Sequence, residues 1–593
     1  MKQTVNYNGY FLKRQQLLVT MSNELPEHFD AVVLGTGFEE SILAGAIARA
    51  GHSILHLDPN DYYGGEWASF NFEGIQGWIE SQNSPKESDI VMDCNRILLN
   101  DDEDFIPLKK VFSRFSNVNQ TWYPQEVKEK EHEAEKDCNK REPSFENTLK
   151  ECSDDIKNNI SSINKVWNQE RVVSESRKFN LDLIPKLLYT SGPLVELLIS
   201  SNVSRYLEFK AFNRVLTTTP DGKGLDHVPS SRADVFSTQK ISVVEKRILM
   251  KFLTFALNYE SHYEVYSEYV NKTFKVFLKK ERLTPNLIHF LMNSIALVEK
   301  DSDTLEGLRS TKKFLSSLGR FGSNTPYLWT VFGGGELPQA FCRLCAVFGG
   351  TYYLGQSVQG IIVKSGSKVS GVIINGGKKR VSCDKFIANE GYLSPDLKSM
   401  EESETIYRNI SVVKDSVIQT DTEKISSISI PLQLKDGSGS FAFVQEVGHG
   451  AAICPKGLYV RHTTSKLPYE PFKFESTNSF IWSLQFSIEG RLGSTSNQSP
   501  KYSNLFYTSG PAFELDYDVN IDNVKKMFQN IYPEDEFLPR APDPEEIILG
   551  DDPTESSDQE KNDEGTIESN QPSNFHQKDT VDENSTEDDL SKL

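Results

Sequence analysis

"VVLGTGFEESILAGA", residues 32–46, is the stretch on which the fold is read. A buried-strand run ends at Gly35, and small and apolar residues follow in helical spacing. Gly35-x-Gly37 between a strand and a helix is a turn that lets a backbone approach a pyrophosphate at a helix N-terminus. The third position of that motif calls for glycine, so that helix and strand pack closely. Here it is Glu40, preceded by Glu39. Two like charges at ~4 Å repel by ~1 kcal/mol in water and by ~4 kcal/mol at an effective dielectric of ~20. Glu39 and Glu40 can instead interact with the dipole of their own helix. Gly35, Gly37 and Glu40 therefore mark a vestigial dinucleotide turn on a Rossmann-type scaffold, and no cofactor is assigned to it.

Working outward, residues 29–58 form a βαβ unit. "FDAVVLG" and "SILHLD" are its strands, 38–50 its helix, and Gly51 its left-handed stop. Asp58 ends the second strand, where an acidic group would hold a ribose. Tyr63-Gly64-Gly65 resembles the second glycine loop of flavin oxidases. The late chain offers no convincing further cofactor loop; "YTSGPAFELD" is a poor one. No GxSxG, HExxH or P-loop pattern occurs. Cys342 and Cys345 form a single CxxC with no second pair, and read as small core residues of a helix. The histidines are dispersed, and no metal site is assigned.

A net charge of −20 argues against nucleic-acid binding by phosphate neutralisation and against a polybasic membrane anchor. Seven scattered cysteines fit reduced thiols in a cytosolic protein rather than a disulfide framework. No apolar run is long enough to span a membrane. The first residues lack the continuous apolar core of a secretory signal, and 1–27 read as an N-terminal extension, with Met1 or Met21 as the start. The final Ser591-Lys592-Leu593 matches a peroxisomal address but follows an acidic tail, so a cytosolic location is expected.

The texture then changes along the chain. Residues 119–175 are charged and read as a disordered insertion. From Leu181 to about Arg320 the pattern is helical. Pro193 starts one helix with Leu194, Leu197 and Leu198 on one face, and Ser242 with Glu245 forms a capping box ahead of Leu249, Phe252 and Leu253. Residues 327–385 and 408–484 return to strands. Residues 551–593 are acidic and almost free of aromatics, the signature of disorder.

"DAVVLGTGFEESILAGAIARAGHSILHLDPNDYYGGEWASF", "NVSRYLEFK" (202–210) and "GELPQAFCRLCAVFGGTYYL" (335–354) closely resemble the superfamily of Rab GDP-dissociation inhibitors and Rab escort proteins. That superfamily itself carries glutamate at the position of Glu40; Phe38 replaces its usual leucine. "GGEWASF", "RADVFSTQKISVVEKRILMKFLTF" and "PDPEEIIL" (542–549) resemble the escort, choroideremia-type branch. The resemblance covers most of residues 28–550. It implies an α/β fold: a flavoprotein-like Rossmann-type domain I with added β-sheet, a smaller all-helical domain II, and the acidic tail. The expected division is 28–118, 216–231 and 323–550 for domain I and 176–215 with 232–322 for domain II.

The implied function is not enzymatic. An escort protein binds newly made GDP-bound Rab GTPases and presents their C-terminal cysteines to the Rab geranylgeranyltransferase α/β heterodimer. It then delivers the lipidated product to membranes, touching them transiently. Carried over by residue, Tyr63 is the Rab-contacting tyrosine of the YYGG element. Lys272, Thr273 and Phe274 fall by a looser alignment on another part of the Rab platform. Phe236 and Arg247 fall on the prenyltransferase contact, an aromatic anchor beside a cation. The geranylgeranyl lipid needs an apolar pocket, for which Leu194, Leu197, Leu198, Leu249, Phe252 and Leu253 are the candidates, with core packing as their simpler role. Two other readings stand beside this one: a GDP-dissociation inhibitor that recycles prenylated Rabs, and an FAD-dependent oxidoreductase.

Overall fold

Along His28–Leu34, Ala31 and Val33 enter one apolar core while Phe29, Val32 and Leu34 enter another. Successive side chains of a strand point to opposite faces, so a strand apolar on both belongs inside a sheet covered on both sides. The computed structural model describes residues 25–84, 99–108, 114–124, 167–364, 366–399, 403–491, 497–508 and 510–540. In it this strand is interior to an eight-stranded sheet, with Val32 opposite Leu55 on one side and Phe386 on the other. Thr351–Leu354, Ile54–Asp58, His28–Leu34, Lys379–Asn389 and Leu505–Thr508 run parallel. Lys368–Ile374, Gly360–Lys364 and Glu103–Pro107 extend the sheet antiparallel.

The crossover from His28–Leu34 to Ile54–Asp58 is the helix Phe38–Arg49, buried almost throughout. Gly51 follows it at φ +95°. The helix Glu336–Val347 lies against it at Gly45, where a Cβ would sit 3.3 Å from the Leu344 side chain and 3.5 Å from the Phe341 carbonyl oxygen. The close approach that the missing third glycine would have served is thus moved one turn on, to a helix–helix contact.

A second eight-stranded sheet, largely antiparallel, runs in the order Leu225–His227, Arg214–Thr218, Ser426–Gln433, Gly439–Gly448, Tyr459–Ser465, Ser403–Val413, Phe480–Arg491, Phe115–Trp122. The helices Arg232–Ser237, Val243–Leu257, Phe274–Lys280, Pro285–Phe290 and Thr304–Ser316 make the helical part. The capping box is present: Ser242 Oγ accepts from Glu245 N at 3.3 Å, and Glu245 Oε2 accepts from Ser242 N at 2.8 Å. Residues Met1–Pro539 make one unit and Arg540–Leu593 another.

Two expected boundaries need correction. The insertion expected over 119–175 begins inside the strand Phe115–Trp122 and ends after the helix Gln169–Ser174. That strand, "FSNVNQTW", forms a sheet edge and buries only Val118, so its polar composition hides it. The span 176–215, expected to be mainly helical, also holds the strands Leu181–Asp182, Leu188–Tyr189, Phe209–Ala211 and the start of Arg214–Thr218. Strands of two or three residues are too short to show an alternating pattern. The N-terminal extension up to residue 24, the middle of the insertion (125–166), the "PDPEEIIL" segment and the acidic tail lie outside the described residues.

Candidate functional site

The vestigial turn is filled by the chain's own groups. Gly35 takes φ +107°, and its N–H donates to the Leu57 carbonyl at 2.8 Å, closing the strand end. A Cβ at Gly37 would lie 2.4 Å from Glu40 Oε2, and one at Gly35 would lie 3.7 Å from Glu40 Oε1. The space that the two glycines leave open is therefore occupied by the Glu40 carboxylate, folded back over its own helix N-terminus. Glu40 Oε1 accepts from Asn389 Nδ2 at 2.8 Å and from Thr508 Oγ1. Glu39, also buried, accepts from Asn520 Nδ2 at 2.8 Å. Burial raises the Glu40 pKa, against the pull of these donors.

Asp58 is engaged internally as well. Its Oδ2 accepts from Thr36 N at 2.8 Å and Thr36 Oγ1 at 2.6 Å, and its Oδ1 from Asn60 N and Nδ2 at 2.8 and 2.9 Å. Burial pushes its pKa up to about 6 despite these bonds.

Beside the turn, Arg114 is buried between Glu66 (3.3 Å) and Glu390 (2.5 Å), and its Nη2 donates to Asn389 Oδ1 at 2.9 Å. Burial opposes its charge, but Glu66, Glu390 and Glu40 together raise its pKa. Burial also pushes Glu66 up to about 7, with Arg114 opposing and Glu40 and Glu390 adding to the rise. A cavity of about 280 Å³ remains here, lined by Gly35, Gly37, Glu40, Asp58 and Glu66 among others. Its lining is acidic, and Glu40 stands where a pyrophosphate would have to sit. The residues do not fit a dinucleotide cofactor, since a dianionic phosphate would meet carboxylates in a low-dielectric site.

The turn instead holds the neighbouring loop. Thr36 Oγ1 accepts from Gly64 N at 3.0 Å, and Gly64, at φ +97°, has no room for a Cβ, which would lie 3.1 Å from the Ala68 backbone. This fixes Tyr63, half-buried, edge-on to Tyr352 at 5.6 Å between ring centroids. Tyr352 lies on the edge strand Thr351–Leu354, whose next residue, Tyr353, is 37% exposed. Tyr63 is thus an aromatic held at the border of the first sheet by the remains of a nucleotide site.

The second surface is on the helices. Phe236, at the end of Arg232–Ser237, is 68% exposed. Arg247 is exposed on Val243–Leu257, one turn beyond the exposed Val243 and Val244 and on their face. Lys246 Nζ donates to the Phe236 carbonyl at 2.8 Å and so ties the two helices together. An aromatic, two valines and a cation exposed together have the composition of an interface core rather than of a solvated surface. The sequence singled out Phe236 and Arg247; the structure adds the exposed Val243 and Val244 on the helix of Arg247 and the Lys246 tie. The valines precede the helix's apolar stripe, and that off-stripe position was the available signal.

The other expected residues fare differently. Phe274 is fully buried, packed on Gly307, where a Cβ would lie 2.2 Å from its ring. Its side chain has no surface to offer a partner, and we correct its assignment from Rab contact to core. Thr273 stands at the N-cap position of the same helix with no side-chain capping hydrogen bond, and Lys272 is exposed with its Nζ over the Tyr269 ring at 4.2 Å. All six candidate lipid-pocket residues, Leu194, Leu197, Leu198, Leu249, Phe252 and Leu253, are at most 5% exposed and belong to the main core. They pack as core in the free chain, the simpler of the two roles the sequence allowed them. Cys342 and Cys345 are buried, with burial pushing Cys345 up to about 11 and Cys342 higher still.

Comparison with known proteins follows this geometry. The family model described as GDP dissociation inhibitor matches residues 25–96 and 156–532. The chain is 35% identical to Rab proteins geranylgeranyltransferase component A 2 of Mus musculus, over 89% of this chain and 99% of that protein. It is 34% identical to component A 1 of Homo sapiens, over 90% and 95%, and 35% identical to component A of Drosophila melanogaster, over 90% and 94%. Among solved structures, RAB GDI from Plasmodium falciparum superposes with a TM-score of 0.59, 20% identity, and coverage of 86% of this chain and all of that one, which shows the fold. The chain belongs to the GDP dissociation inhibitor family and, within it, to the Rab escort branch of geranylgeranyltransferase component A proteins.

Proposed function

We propose that this chain is a Rab escort protein: a non-catalytic component that binds Rab GTPases and brings them to Rab geranylgeranyltransferase. The observation that carries this reading is the near full-length match to component A proteins from mammals and a fly. The exposed Phe236–Arg247 patch supports it, because a recycling inhibitor that never meets the transferase has no use for that surface. The filled dinucleotide turn supports it against an oxidoreductase.

In this reading the Rab is taken in its GDP-bound form, with Tyr63 as one contact. The transferase docks at Phe236 and Arg247, and the lipidated Rab leaves for a membrane. The chain works from the cytosol. The lipid would need a pocket opened between helices that the structure shows closed around their leucines. The experiment is binding by the full chain to purified transferase and to a GDP-bound Rab. Binding of Rab without transferase would favour the recycling inhibitor, and binding of neither would sink the reading.

A further inference from the structure

At the end of the strand Tyr327–Thr330 the chain turns sharply, with Gly333 N–H donating to the Thr330 carbonyl at 3.0 Å. The third residue of this turn, Phe332, takes φ +70°. That region suits glycine, and for a bulky side chain it is a rare and costly conformation. Glycines follow at 333, 334 and 335, yet position 332 holds an aromatic.

The conformation is pinned from both sides. Phe332 N–H donates to the Ala451 carbonyl at 3.1 Å. Gly334 N–H donates to both oxygens of the buried Asp182, at 3.1 and 3.0 Å, and Gly335 N–H to Ser69 Oγ at 2.9 Å. A Cβ at Gly333 or Gly335 would run into Ser69, so the turn has no room to relax. Strain survives in a fold only where the surroundings impose it, and it gathers at functional sites.

What the strained turn presents is an apolar ring. Phe332 is 49% exposed and, among the described residues, meets no other ring and no cation. Of the large apolar side chains exposed among the described residues, it alone lies in the left-handed region. A core aromatic offsets such a conformation by its burial, and a half-exposed one offsets much less. A partner that covers the ring would supply the rest.

The place of the ring in the fold selects the partner. Gly333 and Gly335 lie against Ser69 of the strand Ser69–Phe70, and Phe70 stands edge-on to Tyr62 at 5.3 Å between ring centroids. Tyr62 precedes Tyr63 in the same loop. Phe332 thus borders, through Ser69 and Phe70, the loop that carries Tyr63.

We propose that Phe332 is an anchor of the GTPase-binding surface, which extends from the Tyr63 loop across Ser69–Phe70 to the strained turn, and that its ring enters an apolar patch on the bound Rab. The proposal rests on the reading that the chain binds Rab GTPases. A turn fixed in this way offers the ring with little freedom left to lose on binding.

The test is fluorescence titration of a GDP-bound Rab with the full chain and the variants Phe332→Ala, Phe332→Gly and Phe332→Leu, each also followed by thermal unfolding. The alanine and glycine variants should lose about tenfold or more in Rab affinity, and the leucine variant less than about threefold. The glycine variant should melt about 1–2 °C above the alanine variant, the reverse of the usual order, because only glycine takes this φ freely. Rab affinity within about threefold of the wild type in both the alanine and the glycine variant overturns the proposal, and so does a glycine variant that melts below the alanine one. A loss of Rab binding that tracks a fall in melting temperature across the variants makes the ring structural and also overturns it. Failure of the wild type itself to bind a GDP-bound Rab overturns the escort reading, and this inference with it.

Discussion

Replacing Phe236 by alanine should uncouple the chain from the prenyltransferase without unfolding it. The side chain is 68% exposed in the free protein, so its removal costs the fold little. A phenylalanine carries on the order of 200 Å² of surface, which leaves roughly 140 Å² for a partner to cover. At about 25 cal/mol per Å² that burial is worth about 3.5 kcal/mol, or roughly 300-fold in affinity. The value lies within the usual range for an aromatic hot spot. Arg247→Glu should add to the loss by reversing the charge beside the ring. The assay is titration of full-length variant against purified transferase, with thermal unfolding and Rab binding as controls. A change of less than about threefold in transferase affinity, with unfolding and Rab binding unaltered, would refute the assignment of this patch.

Tyr63→Ala should weaken Rab binding by about tenfold or more while sparing transferase binding, the mirror image of the Phe236 variant, as read by fluorescence titration of a GDP-bound Rab. Arg114→Met should destabilise the fold by about 3–5 kcal/mol in urea unfolding, because it removes the buried cation that stands between Glu66 and Glu390 and offsets the Glu40 charge. Glu66, at about 7 in the folded protein against 4.5 for an ordinary glutamate, holds its proton more tightly when folded. Its contribution is full below about pH 4.5 and is lost as pH rises through about 7, so Glu66→Gln should gain on the wild type by up to about 3 kcal/mol over that window. A difference that stays flat with pH would contradict the placement of that carboxyl. Incubation with FAD followed by desalting should leave no stoichiometric flavin absorbance, since the Glu40 carboxylate fills the space over Gly35 and Gly37.

The elements that carried strong local patterns were legible before any coordinates. The βαβ unit, the Gly51 stop, the Pro193 helix and the Ser242–Glu245 box each follow from a few residues whose chemistry admits one conformation. Glu40 was legible as a departure from the dinucleotide rule, but its fold-back depends on Asn389 and Thr508, each more than three hundred residues away. Asp58 was read as a ribose ligand because its place in the unit suggests one; that Thr36 and Asn60 already engage it is a matter of side-chain geometry. The edge strand Phe115–Trp122 escaped because an edge needs little apolar surface. Phe274 was misplaced at a surface, and the sequence left the six candidate lipid-pocket residues between two roles, for a common reason: an apolar residue in helical spacing looks the same whether it lines a pocket or fills a core.

The most direct measurement is prenylation of a GDP-bound Rab by purified geranylgeranyltransferase, with and without the full-length chain. Lipid transfer that requires the chain, and that falls sharply with Phe236→Ala, is the expected result. Transfer at the same rate in its absence, or no transfer in its presence, would contradict an escort function.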